Sequence, residues 1–231
     1  MRGDRPLLIL SVAMTADGKI DTVHRQGAGI SSPADWERVD RLRAESDAVV
    51  VGGRTLLSED PRLTLKSAEL RAWRRGRGLS ENPMKVGIVS EATLSLDSRF
   101  LMEGPASVVL FTTTRSGAAQ IARLRERGAQ VYVLGERRVD LAAAMQQLGR
   151  LGAQRVLVEG GSTLNAELLR RHLVDEIYLY VAPLIFGGAN APTPAGGPGL
   201  AREEAIRLQL RSVEPQPDGG IVIHYGVSPR P

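Results

Sequence analysis

Val156-Leu157-Val158-Glu159-Gly160-Gly161-Ser162-Thr163-Leu164-Asn165 passes from an apolar, β-branched run through two glycines directly into a helix pattern. A strand that breaks so sharply into a helix is a unit of an α/β sheet. The glycines let the backbone approach a ligand with no Cβ in the way, and the N–H groups of Ser162, Thr163 and Leu164 fall where the helix dipole favours an anion. Glu159 falls at the carboxyl end of the strand, on the crevice where open α/β sheets bind ligands. A tight strand-to-helix turn with Ser162 or Thr163 as its N-cap would satisfy the same residues.

Outward from this junction the pattern repeats. Residues 7–14, 47–51, 84–90, 107–113, 130–134 and 156–158 read as buried strands, and residues 33–44, 116–127, 140–151 and 163–172 carry helical spacing. This alternation predicts βαβ units around a mainly parallel sheet. Residues 176–183, 206–213 and 220–225 alternate as paired antiparallel strands do, with 215–219 as a turn. Between them, residues 186–199 form a glycine- and proline-rich loop long enough to suit a binding loop or a subunit contact. No repeat and no linker divides the 231 residues, so a single domain spanning 1–231 is expected.

Composition narrows the function. Cysteine is absent, which removes disulfides, thiol nucleophiles and cysteine metal sites, and no metal site is expected. No stretch approaches the roughly 20 apolar residues of a membrane span, and the opening apolar run is interrupted too early for a signal peptide, so a cytoplasmic protein with no membrane partner is expected. The net charge of +4 comes mainly from arginines mixed with acids, a solvated-face pattern that does not call for nucleic acid. Only residues 71–78 are densely basic, and they read as an exposed excursion between strands.

Three further clusters carry possible chemistry. Ala13-Met14-Thr15-Ala16-Asp17-Gly18-Lys19-Ile20-Asp21 follows the first strand, at the mouth of the sheet, although Asp17-Gly18 is also an ordinary turn pair. Gly52-Gly53-Arg54-Thr55 ends the second strand with backbone N–H groups and a hydroxyl, a second anion cradle. Glu59-Asp60-Pro61-Arg62-Leu63-Thr64 sets two acids and a base beside a fixed turn.

With Arg43-Ala44-Glu45-Ser46, Leu173-Val174-Asp175-Glu176 and Ala182-Pro183-Leu184-Ile185-Phe186-Gly187-Gly188 added, these stretches cover nearly the whole chain. In order and content they resemble the archaeal-type 2,5-diamino-6-ribosylamino-4(3H)-pyrimidinone 5′-phosphate reductases of riboflavin biosynthesis, and the reductase half of the bacterial bifunctional deaminase/reductase. The resemblance implies a three-layer αβα, dihydrofolate-reductase-like fold with a mainly parallel sheet and antiparallel C-terminal strands. It implies a homodimer that binds NADPH, with NADH as the other possible nicotinamide. It assigns Thr55, Glu59 and the run Gly160, Gly161, Ser162, Thr163 and Leu164 to the cofactor, with Ala13 and Ser90 lining its site. It sets Gly27, Arg43, Leu63, Lys66 and Glu159 around the phosphorylated ribosylaminopyrimidine, and marks Glu159 and Asp17 as the catalytic candidates.

The chain departs from the family in places: Glu59 stands where aspartate is common, Val89 where an acid often precedes the serine, Gly29 for a bacterial tryptophan, Lys66 for an arginine and Ser11 for a lysine. A zinc deaminase is excluded, because its Pro-Cys-x-x-Cys ligands are missing. Open alternatives are reduction of the deaminated pyrimidinedione, dihydrofolate reduction, suggested by Pro33-Ala34-Asp35-Trp36, and a nucleotide-binding module without turnover.

Overall fold

A computed structural model describes residues 5–228. Along the chain run β1 (Leu7–Thr15), α1 (Pro33–Ala44), β2 (Ala48–Gly52), α2 (Gly53–Glu59), α3 (Ala68–Gly76), β3 (Met84–Ile88), α4 (Arg99–Met102) and β4 (Val108–Thr112). There follow α5 (Ala118–Glu126), β5 (Gln130–Val133), α6 (Leu141–Arg150), β6 (Arg155–Val158), α7 (Ser162–Arg170), β7 (Glu176–Ala182), β8 (Leu208–Pro215) and β9 (Ile221–Val227). Short 3-10 turns occupy Thr114–Ser116 and Arg202–Glu204. The chain divides into two compact units: one holds Asp40–Leu157 with the described residues up to Leu7, the other Leu8–Val39 with the residues from Val158 onward.

In the first unit β2, β3, β4 and β5 pair in parallel, Gly52 lying opposite Ile88 and Ile88 opposite Phe111. The strand order here is β5-β4-β3-β2-β6. Every residue of β2 and β4 is buried. That is why Ala48-Val49-Val50-Val51 and Val108-Val109-Leu110-Phe111 are unbroken apolar runs without alternation. Gly87 is the small residue that lets this packing close, because a Cβ there would lie 2.7 Å from Leu56 and 2.8 Å from Leu110. Gly87→Ala is expected to destabilise the protein by about 1–3 kcal/mol through overpacking, read as a shift of the denaturation midpoint.

The second unit orders its strands β1-β7-β9-β8. β1 runs parallel to β7, Thr15 opposite Ala182, whereas β9 is antiparallel to both β7 and β8. The β8–β9 hairpin closes at Gly219 (φ +83°), where the Gln216 N–H donates to Gly220 O. Parallel strands followed by an antiparallel C-terminal hairpin are what the sequence predicted.

Some elements differ from the sequence expectation. Residues 53–59 are helix α2, which ends where Asp60 turns left-handed at φ +45°. The basic run 71–78, expected as an exposed excursion, belongs mostly to helix α3. Ser67 caps this helix by accepting from the Leu70 N–H, and Arg74, only 2% exposed, donates to the carbonyls of Ala44, Ser46 and Ser80. Arg71 reaches the carbonyls of Leu65 and Lys66, and Arg71 and Arg75 both pair with Glu81. Arg71, Arg74 and Arg75 are thus committed to the unit's own backbone and acid, and Arg77 lies over the Trp73 ring. Helix α7 starts at Ser162 with Gly161 as N-cap, in place of the serine or threonine cap considered from sequence.

Candidate active site

In the first unit, two groups of the predicted residues come together. Thr55 and Ser90 stand just past the carboxyl ends of the neighbouring parallel strands β2 and β3, and Gly53 is in contact distance of Val89, 3.1 Å from a Cβ position to its Cγ2. Thr113 fixes the backbone at Ser90 by donating its hydroxyl to the Ser90 carbonyl at 2.5 Å. Glu59 is exposed at the last position of α2. Its neighbour Asp60 has a structural task, accepting the N–H groups of Arg99 and Phe100 at the start of α4.

The second group is Arg43, Leu63 and Lys66. Arg43, buried at the end of α1, donates Nη1 to the carbonyl of Thr64 at 3.0 Å. Asp40, one turn earlier on the same helix, accepts the Lys66 N–H at 3.0 and 3.1 Å and the Ser67 N–H at 2.8 Å. Directly ahead of these anchored residues Leu63 takes φ +53°, a conformation that side chains rarely adopt. Strain held by surrounding bonds in this way is common where a chain is shaped for a ligand. The side chain of Lys66 is exposed.

In the second unit, Ala13 lies opposite Tyr180 and packs against the cluster of Ile30, Tyr180, Ala182 and Val222. Gly27 adopts φ +80° and donates its N–H to Asp21 at 2.9 Å. Burial works to raise the Asp21 carboxyl, but the N–H groups of Gly27, Ala28 and Thr22 and the charge of Arg25 outweigh it and hold the group below its ordinary range. Glu159 directly follows β6, half-buried, and Gly160 after it takes φ +122°. No side chain caps α7, so the first-turn N–H groups, those of Ser162, Thr163 and Leu164, are not consumed by a capping oxygen. That arrangement suits an anion.

Asp17 follows β1, and both of its oxygens accept hydrogen bonds. Oδ1 accepts the Thr15 hydroxyl (2.5 Å) and the Phe186 N–H (3.2 Å), and Oδ2 accepts the Gly187 N–H (2.7 Å). The Thr15 bond chiefly, aided by the two N–H groups against some desolvation, keeps this carboxyl below its ordinary range. These bonds favour the ionised form of the group.

Asp35 is fully buried near the start of α1, and its Oδ1 holds the guanidinium of Arg38 at 2.7 and 2.8 Å. Arg38 also reaches the Ser11 hydroxyl at 3.4 Å. The acid that suggested dihydrofolate reduction thus pairs through Oδ1 within its own helix, while its Oδ2 is buried without a hydrogen-bond partner. Sequence reasoning missed Asp40 and the bond from the Tyr180 hydroxyl to Asp218 (2.9 Å), and held Asp21 only as the last residue of the cluster after β1. Only Asp40 left a signal, its i,i+3 spacing to Arg43 on one helix face.

Among the described residues no cluster of histidine, aspartate and glutamate suits a metal ion, and no helix is long and apolar enough to cross a membrane.

The sequence model of the RibD C-terminal domain matches residues 6–222. A relative from Archaeoglobus fulgidus, named 2,5-diamino-6-ribosylamino-4(3H)-pyrimidinone 5′-phosphate reductase, is 42% identical over 84% of this chain and 87% of its own. Among solved structures, a pyrimidine reductase-like protein from Corynebacterium diphtheriae superposes with a TM-score of 0.84 at 20% identity, covering 97% of this chain and 93% of that one. A dihydrofolate reductase from Enterococcus faecalis follows at a TM-score of 0.51 and 13% identity, covering 96% of this chain and 97% of that one, which is a likeness of fold.

Proposed function

The chain belongs to the RibD C-terminal domain family, and we propose on that footing that it is the riboflavin-pathway reductase acting on 2,5-diamino-6-ribosylamino-4(3H)-pyrimidinone 5′-phosphate. One observation carries the choice of substrate: the 42% identical Archaeoglobus relative, matched over nearly its full length, bears that name. The family match runs through both compact units, which supports reading them as one functional domain.

The reaction converts a ribosylamino to a ribitylamino side chain. Ring opening of the ribosylamine gives an imine, and reduction at C1′ completes the change. A reduced nicotinamide, NADPH in this proposal, supplies the hydride when bound. The chain's own residues bind, orient and shield. The uncapped first turn of α7, with Gly160, Gly161, Ser162, Thr163 and Leu164, is assigned to a cofactor phosphate, as is Thr55 past the end of β2; Ala13, Glu59 and Ser90 complete the cofactor set. Arg43 and Lys66 are assigned to the substrate 5′-phosphate by charge-assisted hydrogen bonds, with Leu63 and Gly27 beside the substrate. Glu159 is assigned to the pyrimidine. Asp17, an ionised acceptor, is better suited to holding structure than to protonating the opening ring.

A homodimer is proposed from the outer face of the hairpin. In β8, Leu208, Leu210, Val213 and Pro215 lie opposite Val227, Tyr225, Ile223 and Ile221 of β9, while Gln209, Ser212 and Glu214 face the other way. The apolar side is nevertheless in water: Leu208 is 42%, Leu210 55% and Val213 50% exposed. An apolar strand at a sheet edge invites a partner, and a second copy supplies a self-complementary one. Leu210→Asp is expected to reduce the mass seen by light scattering to the 24.9 kDa of one chain. An unchanged dimer mass would remove this face from the interface. A cytoplasmic location goes with this reading, since the cofactor is kept reduced there.

The substrate assignment is tested by following NADPH absorbance with the diaminopyrimidinone phosphate, its deaminated counterpart and dihydrofolate offered separately. Oxidation with the first alone is expected. Activity with the second alone would make the enzyme a pyrimidinedione reductase, and silence with both pyrimidines would overturn the proposal.

A further inference from the structure

The connection from β7 to β8 is stitched down at two places in its own unit. At its start, Asp17 accepts the N–H groups of Phe186 and Gly187, the Leu184 carbonyl accepts the Ala16 N–H, and the Pro192 carbonyl accepts the Ile20 N–H. Further on, the Ser162 hydroxyl donates to the Thr193 carbonyl at 2.5 Å, Asn165 Nδ2 to the Pro194 carbonyl at 2.9 Å, and the Gly196 N–H to the Ser162 carbonyl at 3.1 Å. The second set of bonds lands on the first turn of α7. The loop is fitted closely to both anchors: Gly187 and Gly188 take φ +67° and +83°, a Cβ at Gly188 would lie 2.7 Å from Val23, and one at Gly196 would lie 2.6 Å from the Ser162 hydroxyl.

We propose that Asp17 is a positioning residue, whose carboxylate seats the loop 186–197 so that the loop in turn fixes the first turn of α7. The proposal rests on the reading of that turn as the cofactor's phosphate cradle. Ser162 is central to the link, because its backbone N–H belongs to the cradle while its hydroxyl and carbonyl hold the loop. Asp17 reaches the cofactor only through this chain of bonds. Its folded-state pKa is lowered, so the clamp is intact above the ordinary carboxylate range and is lost only as pH falls below it. No limb of a pH profile near neutrality belongs to Asp17.

Asp17→Asn is the discriminating change. The amide keeps an acceptor for one side but turns a donor NH₂ toward an N–H donor on the other. Amide hydrogen exchange on the full-length protein without ligand is expected to speed up about tenfold across 184–197, the scale of losing a charge-assisted bond. KM for NADPH is expected to rise while the pH profile of kcat keeps its shape, and Asp17→Glu, which keeps the charge, is expected to recover part of both. Gly196→Ala leaves Asp17 untouched and turns the Ser162 hydroxyl away, so it is expected to loosen 193–197 and raise the same KM even if Asp17→Asn fails to fold. Unchanged exchange at 184–197 in Asp17→Asn would overturn the proposal, as would loss of a titrating limb of kcat with the loop still protected. Unchanged KM in Gly196→Ala would break the link to the cradle. Because exchange is read without turnover, an enzyme that reduces no pyrimidine would sink the reductase reading and leave the exchange result standing by itself.

Discussion

Glu159→Gln is expected to lower kcat/KM for the ribosylaminopyrimidine by about 10- to 100-fold, the range for removing the charge from one hydrogen-bonding partner. Glu159 leaves β6 at its carboxyl end, half-buried, and Gly160 turns the chain away directly behind it at φ +122°. The side chain is thereby carried on the first residue after a buried strand, a placement that favours holding a substrate in register. Glutamine keeps the length and shape, so folding and NADPH binding, read by cofactor fluorescence, are expected to stay as they are. Unchanged turnover and unchanged substrate affinity would take Glu159 out of the site.

The largest stability effect is expected at Arg74. Arg74→Met keeps an unbranched apolar stem but strands the carbonyls of Ala44, Ser46 and Ser80, which the guanidinium satisfies at 2.7–2.8 Å in a site that is 2% exposed. Burial lowers the guanidinium's pKa, with Asp47 opposing, yet an arginine remains charged. The expected loss is about 3–5 kcal/mol, in the range for breaking a buried charged network by removing one side of it. It would be measured from the denaturant midpoint at unchanged slope. A loss under about 1 kcal/mol would mean that water replaces the arginine without cost.

These two residues also mark what sequence could and could not reveal. Glu159 was legible because an apolar strand, two glycines and a helix start are all local signals. Helix α1 was legible to its ends: Pro33 opens it, Asp35 sits in the first turn, and Arg41 and Arg43 sit in the last. Arg74 was not legible. A run of arginines beside a tryptophan reads as exposed, and only the carbonyls of residues 44 and 46, nearly thirty positions away, make one of them a core residue. Helices α2 and α4, at seven and four residues, are too short to show a period. The same limit applies within the candidate site. The positions of Asp17 and the loop after β7 were each readable, but the bonds between them join residues 169 and 170 positions apart. A motif names Asp17 without saying whether it moves a proton or holds a loop; its bonds to Thr15, Phe186 and Gly187 are what favour the proposed loop-holding role. Likewise the N-cap of α7 is Gly161, where the pattern suggests Ser162 or Thr163, and the helix is left without a side-chain cap.

The most direct test follows a single atom. NADPH carrying deuterium at the transferable position would be incubated with the diaminopyrimidinone ribosylamine phosphate, and the product examined by mass spectrometry and NMR. A ribitylamino product with one deuterium, located at C1′, is the expected result. A substrate returned without deuterium, or deuterium found on the pyrimidine ring, would contradict reduction of the ribosyl side chain by this protein.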